Sequence, residues 1–388
     1  MNSICKNVTK ILSDLVAFDT TSRNSNLALV QYIAEYLARF GLKPKLILSE
    51  DGNKANLYVT IGPQKGNGIV LSGHTDVVPV DGQNWSTPPF ELTKKGELLY
   101  GRGTADMKGF IACTLAMTPK FLKQPLTRPI HLAFSYDEEV GCLGVGKLIE
   151  FILSETAKPD AIIVGEPTTM KIATTHKGIC AMSTLFHGRE GHSSQPENGI
   201  NSIEAAAEFI KFLYWLSEDL SKKEADNRFD PPYTTFNVGK IMGGEAVNII
   251  AQECILNWEF RPIPGADAQK IIDRVDQWVK THLIPRMSNK EFNCLIETIR
   301  DVFVPPFDLP NSTAEKITRT ALGTNRSEAL SFVTEASLYA KAGFPAVICG
   351  PGNIAQAHQA DEFVSVKQLS DCMKFLDKII RENLHTTT

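Results

Sequence analysis

The sequence predicts an α/β protein built on a mixed sheet, with a smaller α+β domain inserted into it. Three observations carry that prediction. As far as Lys177, short apolar runs alternate with stretches of helical periodicity, the pattern of strands and helices taken in turn. Beyond Lys177-Gly178 the strands turn mixed in polarity and read as two strand-helix-strand units, a ferredoxin-like layer. From Thr313 the first pattern returns. A chain of 388 residues is also longer than one hydrophobic core usually grows. The expected division is a discontinuous domain of residues 1–179 and 298–388 around an insert of residues 180–297.

Taken in order, apolar residues recur at helical spacing from Val8 to Val16 and from Leu27 to Phe40, where Gly41 stops the second helix. Asn56 to Ile61 and Gly68 to Leu71 are expected strands, separated by a Gly-Pro-Gln-Lys-Gly-Asn-Gly turn. The glycine-rich loop Tyr100-Gly101-Arg102-Gly103 and the stretch Asp106-Met107-Lys108-Gly109 lead into a helix ending near Leu122. A strand from Ile130 to Tyr136 runs into Asp137-Glu138-Glu139. A helix covers Val145 to Leu153, and a strand from Ala161 to Val164 runs into Gly165-Glu166-Pro167. In the insert, strands are expected at Ile179 to Phe186, Thr235 to Ile241, Val247 to Phe260 and Phe292 to Ile299, and helices at Asn201 to Leu216 and Ala268 to His282. The polar span Ser221 to Pro232 reads as a mobile loop. The return segment offers helices at Thr313 to Ala321, Glu335 to Ala342 and Val366 to Glu382, with a strand at Ala346 to Cys349.

Composition excludes several classes. With 43% apolar and 22% charged residues the chain is an ordinary globular protein. A formal charge of -4 offers no broad basic surface, which argues against nucleic acid as a partner. No apolar run approaches the ~20 residues that span a bilayer. The stretch Met1 to Lys10 lacks the apolar core and cleavage pattern of a secretory signal, so a cytoplasmic location is expected. The eight cysteines are scattered through apolar segments with no Cys-x-x-Cys pair, as reduced core thiols would be.

The chemistry gathers at strand ends. His74 closes an apolar run in Ser72-Gly73-His74-Thr75-Asp76, and strand alternation points His74 and Asp76 the same way. That spacing suits a ligating imidazole steadied by a neighbouring carboxylate. Asp106, Glu138, Glu139 and Glu166 also stand where a strand or loop gives way to the next element, and His358 follows the strand at Ala346. In open α/β sheets that edge is where ligands bind. Two histidines and several carboxylates buried together need a cation. Nitrogen and oxygen donors without thiolates suit zinc, with cobalt or manganese as alternatives.

There are more donors than one ion needs. A hydrolytic pair of ions about 3.5–4 Å apart requires a bridging carboxylate and open positions for water. Adjacent Glu138 and Glu139 suggest that one binds metal while the other takes a proton from an activated water. Any single one of these acids reads equally well as a helix cap or a solvated turn; six such residues together do not.

At these motifs the chain resembles a known family, the co-catalytic zinc amidohydrolases and exopeptidases that include acetylornithine deacetylase, succinyl-diaminopimelate desuccinylase and the aminoacylases. Ser-Gly-His-Thr-Asp-Val-Val-Pro, Gly-Arg-Gly-Thr-Ala-Asp-Met-Lys-Gly, Asp-Glu-Glu-Val-Gly and Gly-Glu-Pro occur in the family's order across nearly the whole chain. The resemblance implies a zinc-exopeptidase-like α/β/α catalytic domain and a ferredoxin-like lid and dimerisation domain. It implies that Asp106 bridges two divalent ions, with His74 and Glu166 completing one site and Glu139 and His358 the other. Glu138 would be the general base and Asp76 the support for His74. A cis peptide between Asp106 and Met107 is also implied.

In the insert, Gly191-His192-Ser193-Ser194 is similar to the family's lid motif, whose imidazole stabilises the oxyanion in the partner subunit of a homodimer. Asn248 and Arg261 fall where similar enzymes place substrate contacts, and an arginine fork suits a carboxylate. The tail segments Phe332-Val333-Thr334-Glu335-Ala336 and Gly350 to Glu362 resemble the acetylornithine branch more than the desuccinylase branch. The expected reaction is hydrolysis of N2-acetyl-L-ornithine to ornithine and acetate, in arginine biosynthesis, with Glu335 meeting the cationic side chain. The alternatives are another N-acyl-amino-acid deacylase or dipeptidase, the desuccinylase, or a zinc-retaining binding protein.

Overall fold

Four parallel strands, Ile69–His74, Ile130–Ser135, Ala161–Pro167 and Ala346–Gly350, form the middle of the main sheet, and all their residues are buried. Near-continuous apolar runs are what burial on both faces demands of a strand. This computed structural model describes residues 3–155, 157–288 and 294–383. Among them the sheet has nine strands, in the order Lys45–Leu48, Ala55–Ile61, Ile130–Ser135, Ile69–His74, Ala161–Pro167, Ala346–Gly350, Ala173–His176 and Phe307–Asp308, with Glu328–Leu330 paired to Ala173–His176.

Alternation sends neighbouring side chains to opposite faces. Ile69 and Leu71 pack with Leu12, Phe110, Leu115 and Phe375 from helices Ser3–Val16, Lys108–Lys123 and Val366–Asn383. Ser72 faces the other way, its hydroxyl 3.0 Å from that of Tyr339 on helix Ala336–Lys341. Helix Val145–Glu155 covers that side too, with Leu148 and Ile152 buried. Two glycines mark where the strands leave no room. A Cβ on Gly165 would lie 2.1 Å from ring carbons of Phe110, and one on Gly350 1.9 Å from the Gly165 carbonyl oxygen.

Contacts divide the chain into two units, Met1–Thr175 with Phe307–Ala329 and Thr334–Thr388, and His176–Pro306 with Leu330–Val333. In the second, four antiparallel strands run in the order Thr235–Gly243, Glu253–Arg261, Ile179–His187 and Leu295–Val304. Cys180, Met182, Thr184 and Phe186 alternate into its core opposite Cys254, Leu256, Trp258 and Phe260. Helices Ser202–Ser221 and Ala268–Trp278 close that face with Phe209, Leu213, Leu216, Ile271 and Val275. Asn201 and Asp267 cap them through side-chain oxygens. The strand order is ferredoxin-like, as the sequence predicts.

Several expected elements change. The strand expected from Val247 begins only at Glu253; Val247 is fully exposed, and Ile249 instead bridges to His192. The second helix of the insert passes at Val279–Leu283 into a π-helical turn. The span expected to be a mobile loop leaves the helix at Ser221, is largely exposed to Arg228, and is held at its far end. Phe229 is buried there, and the Lys177 ammonium donates to the carbonyls of Pro231 and Tyr233 at 2.8 Å. Of the strand expected at Phe292, residues 292–293 lie outside the described residues, and the described strand is Leu295–Val304. Lys45–Leu48 and the small sheet of Thr93–Lys95, Leu98–Tyr100 and Phe363–Ser365 carry too few buried apolar residues to be legible as strands.

The seven cysteines with described side chains are buried and free; that of Cys5 lies outside the described set. Among the described residues no helix is long and apolar enough to cross a membrane.

Candidate metal centre

His74 ends strand Ile69–His74, and its two ring nitrogens face different neighbours. Nδ1 lies 2.9 Å from the backbone carbonyl of Asp76, which can only accept, so Nδ1 carries a proton and donates. Nε2 is thereby left as the ligand atom, 3.0 Å from Asp106 Oδ1 and 3.8 Å from Glu166 Oε1. It is thus the main chain of Asp76 that fixes the His74 tautomer. Its carboxylate sits 3.5 Å from Nδ1 and has other partners. The Ser22 hydroxyl donates to Oδ2 at 2.7 Å, and the amides of Glu138 and Glu139 donate to Oδ1 and Oδ2 at 3.1 and 3.2 Å. Asp76 therefore holds His74 and aims the paired glutamates at once.

Asp106 stands before helix Lys108–Lys123, and its peptide to Met107 is cis, as the family resemblance implies. One of its oxygens faces His74; the other, Oδ2, lies 3.6 Å from His358 Nε2. His358 Nε2 is also 3.0 Å from Glu139 Oε2. A carboxylate whose two oxygens address different imidazoles is what bridging a pair of ions requires. Donor atoms of His74, Asp106 and Glu139 lie within 4.8 Å of one another. Glu166 is buried with Oε1 lacking any hydrogen-bond partner.

The donors fit cations. With Nδ1 donating to the Asp76 carbonyl, His74 Nε2 faces a carboxylate oxygen, an arrangement that a cation between them, a proton or a metal ion, reconciles. The electrostatics agree. Burial opposes charge on His74, but hydrogen bonds from its ring to Asp106 and Asp76, with Glu166 and Glu138 nearby, raise its pKa well above the histidine range. Hydrogen bonds to Asp106 and Glu139 lift His358 to about 10. Burial and the charge of Asp106 push Glu139 to about 7 and Glu166 well up. Asp106, by contrast, is held low: burial opposes its charge, and the two imidazoles outweigh it. Oxygen and imidazole donors without thiolate suit zinc, cobalt or manganese.

Glu138 is the acid left over. Burial, followed by the charges of Glu139, Glu335 and Asp106, raises its carboxyl well above the usual range against the opposing pull of His74. The Cys142 thiol approaches Oε1 at 3.4 Å. Glu335 opens helix Ala336–Lys341, is 1% exposed, and has no well-directed hydrogen-bond partner for either carboxylate oxygen. Burial pushes it to about 7, with the nearby Ser135 hydroxyl and His74 opposing. It lies in the field of Glu138 rather than on an open surface.

The remaining expected residues belong to the second unit. His192 and Asn248 come together there, because Gly191 to Ser193 pairs with Asn248 to Ile250 through Ser193 N to Asn248 O at 3.1 Å and Ile250 N to Gly191 O at 2.8 Å. The Ser194 amide donates to His192 Nδ1 at 3.2 Å, which leaves Nε2 as that ring's N–H donor. Arg261 pairs with Glu259 through Nε at 2.8 Å. Three residues escaped sequence reasoning: Ser22 left no signal, whereas Arg102 and Glu362 lie inside motifs noted for other residues.

Comparison with known proteins points the same way. The profile described as Peptidase family M20/M25/M40 matches residues 70–382. The chain is 34% identical over 379 residues to the acetylornithine deacetylase of Pasteurella multocida (strain Pm70), covering 96% of each. Its fold matches an M20 family metallo-carboxypeptidase from Sulfolobus solfataricus with a TM-score of 0.77 at 18% identity, over 98% of this chain and 99% of that one. A dinuclear metal binding M20 peptidase from Bacillus subtilis matches with a TM-score of 0.68 at 13% identity, over 98% and 99%.

Proposed function

The chain belongs to peptidase family M20/M25/M40 and is a metal-dependent amide hydrolase, and from that premise we propose that it cleaves the amide of N2-acetyl-L-ornithine to ornithine and acetate, a step of arginine biosynthesis. The observation that carries the chemistry is the Asp106 carboxylate, which addresses His74 with one oxygen and His358 with the other beside a glutamate, Glu138, with no cation to hold. What favours the substrate is 34% identity, spread over 96% of the chain, to a protein of that name.

His74, Asp106 and Glu166 would hold one divalent ion, and Asp106, Glu139 and His358 the other; zinc is the reading preferred, then cobalt or manganese. When bound, such ions supply Lewis acidity to the scissile carbonyl and make water acidic enough to attack at neutral pH. Glu138, beside the donors but not among them, would take a proton from the attacking water and return it to the departing nitrogen. Asp76 keeps Glu138 and Glu139 aimed through their amides. His192 offers its Nε2–H to the oxyanion, supplied by the inserted domain of a partner in a cytoplasmic homodimer. Asn248 and Arg261 contact the substrate's amino-acid end. Glu335 receives the ornithine ammonium, whose charge would compensate its unpartnered carboxylate.

Comparing kcat/KM for N-acetyl-L-ornithine, N-succinyl-diaminopimelate and N-acetylmethionine tests the substrate. The reading expects the first to lead by tenfold or more, about 1.4 kcal/mol of differential transition-state binding. A lead for either of the others would replace it.

A further inference from the structure

Glu362 is a buried carboxylate that the mechanism above does not use. It is 1% exposed, as is the side chain of its ion-pair partner Arg102. Oε1 accepts from the amides of Ala105 and Asp106 at 2.8 and 3.0 Å, and Oε2 from the amide of Gly103 and from Arg102 Nη1 at 2.9 and 2.8 Å. Its own carbonyl accepts from Gly101 at 2.9 Å. One residue thus gathers the whole loop that presents Asp106, with converging amides of the kind that cradle an anion. The arrangement needs a left-handed turn at Gly103, whose φ is 81°.

The same pair reaches the other ligand loop. Arg102 Nη1 also donates to the Gln359 carbonyl at 3.2 Å, and Nη2 to Gln83 Oε1 at 2.6 Å. Gln83 in turn donates through Nε2 to the His358 carbonyl at 2.9 Å. The Arg102 guanidinium lies over the Trp85 ring, 5.0 Å from its centroid, which adds a planar contact to its four hydrogen bonds, the fourth from Nη2 to the Pro79 carbonyl at 3.4 Å. A continuous run of charged and amide hydrogen bonds therefore joins the backbone of Asp106 to that of His358, two residues separated by most of the chain.

We propose that Glu362 and Arg102 are positioning residues that fix the spacing of Asp106 and His358 and so set how tightly the ion shared by those two is held. The inference rests on the two-ion reading given above. Replacing the carboxylate by an amide of the same shape tests it. In Glu362→Gln a terminal NH2 must face backbone amides or the guanidinium, donor against donor, so the loop has to shift.

Calorimetric titration of chelator-treated protein with zinc supplies the readout, on wild type, Glu362→Gln, Arg102→Lys and Glu315→Gln. Glu315 is an equally buried carboxylate whose partners, Asn311, Ser327 and Arg319, share nothing with this network. Wild type should bind two equivalents. In Glu362→Gln at least one of the two binding steps, the one that depends on Asp106 and His358 together, should weaken about 10- to 100-fold, the usual effect of losing a residue that orients ligands. Arg102→Lys, which keeps the charge but loses the planar fork, should weaken the same step less, and it carries the test if the glutamine variant does not fold. Glu315→Gln should leave both affinities within twofold, whatever it costs in melting temperature. Two affinities both unchanged in the Glu362 and Arg102 variants, or equal weakening in Glu315→Gln, would overturn the positioning role while leaving the two-ion reading intact. A wild type that binds a single equivalent would overturn both.

Discussion

A histidine far from the metal-binding cluster shows how a single environment sets a protonation state. His131 is buried, its Nδ1 meets the Thr60 hydroxyl at 3.0 Å, and its Nε2 has no partner. Burial lowers its pKa from 6.5 to about 4. The unfolded chain therefore binds more protons than the folded one between those values, and stability rises with pH across the window. The contribution is fully present above pH 6.5 and is lost as pH falls through about 4. It amounts to about 3 kcal/mol at one unit per 1.36 kcal/mol. His131→Phe should flatten that acid limb, measured as the difference in unfolding free energy between chelated wild type and variant from pH 7 down to 4. An unchanged slope would mean that His131 is charged in the fold. His74 and His358 behave oppositely, both raised by carboxylates, because there the neighbouring charges outweigh desolvation.

Strands and loops decide which ligands can meet. Strand Ala161–Pro167 delivers Glu166 only because Gly165 lets the Phe110 ring lie against the backbone. Gly165→Ala should cost about 1–3 kcal/mol or more by overpacking, and Phe110→Leu in that background should return part of it, read from denaturant midpoints. An alanine variant as stable as wild type would contradict the close fit. The central strands were legible as short apolar runs, and those of Ile69–His74, Ile130–Ser135 and Ala161–Pro167 end in or lead into the polar residues His74, Glu138, Glu139 and Glu166 that the sequence marks as candidates. The run Val247, Ile249, Ile250 misled for the same reason, since the chain leaves the sheet there and Val247 is wholly exposed. Glu362 and Arg102 were not legible as a pair, because their contact spans 260 positions and only folding brings them together. Ser22 likewise meets Asp76 across 54 positions, with no pattern in the sequence to mark it.

At the scale of the whole molecule, two separate hydrophobic clusters, one per unit, explain why the change in strand polarity beyond Lys177 could be read as an insertion. The donors proposed for the two ions all come from the first unit and His192 from the second. If His192 serves a partner's site, mixing His192→Ala with Glu138→Gln chains should restore measurable hydrolysis from two inactive parents. Demonstrated heterodimers without activity would remove the cross-subunit role. Everything proposed for the molecule requires two ions shared by Asp106, with Glu138 left free to move a proton. The most direct test is turnover of N-acetyl-L-ornithine by Glu138→Gln at known metal content. The variant should retain two metal equivalents and lose activity by about 10²- to 10⁴-fold, the usual span for a general base. Turnover near the wild-type rate with both ions bound, or loss of an ion along with the activity, would contradict it.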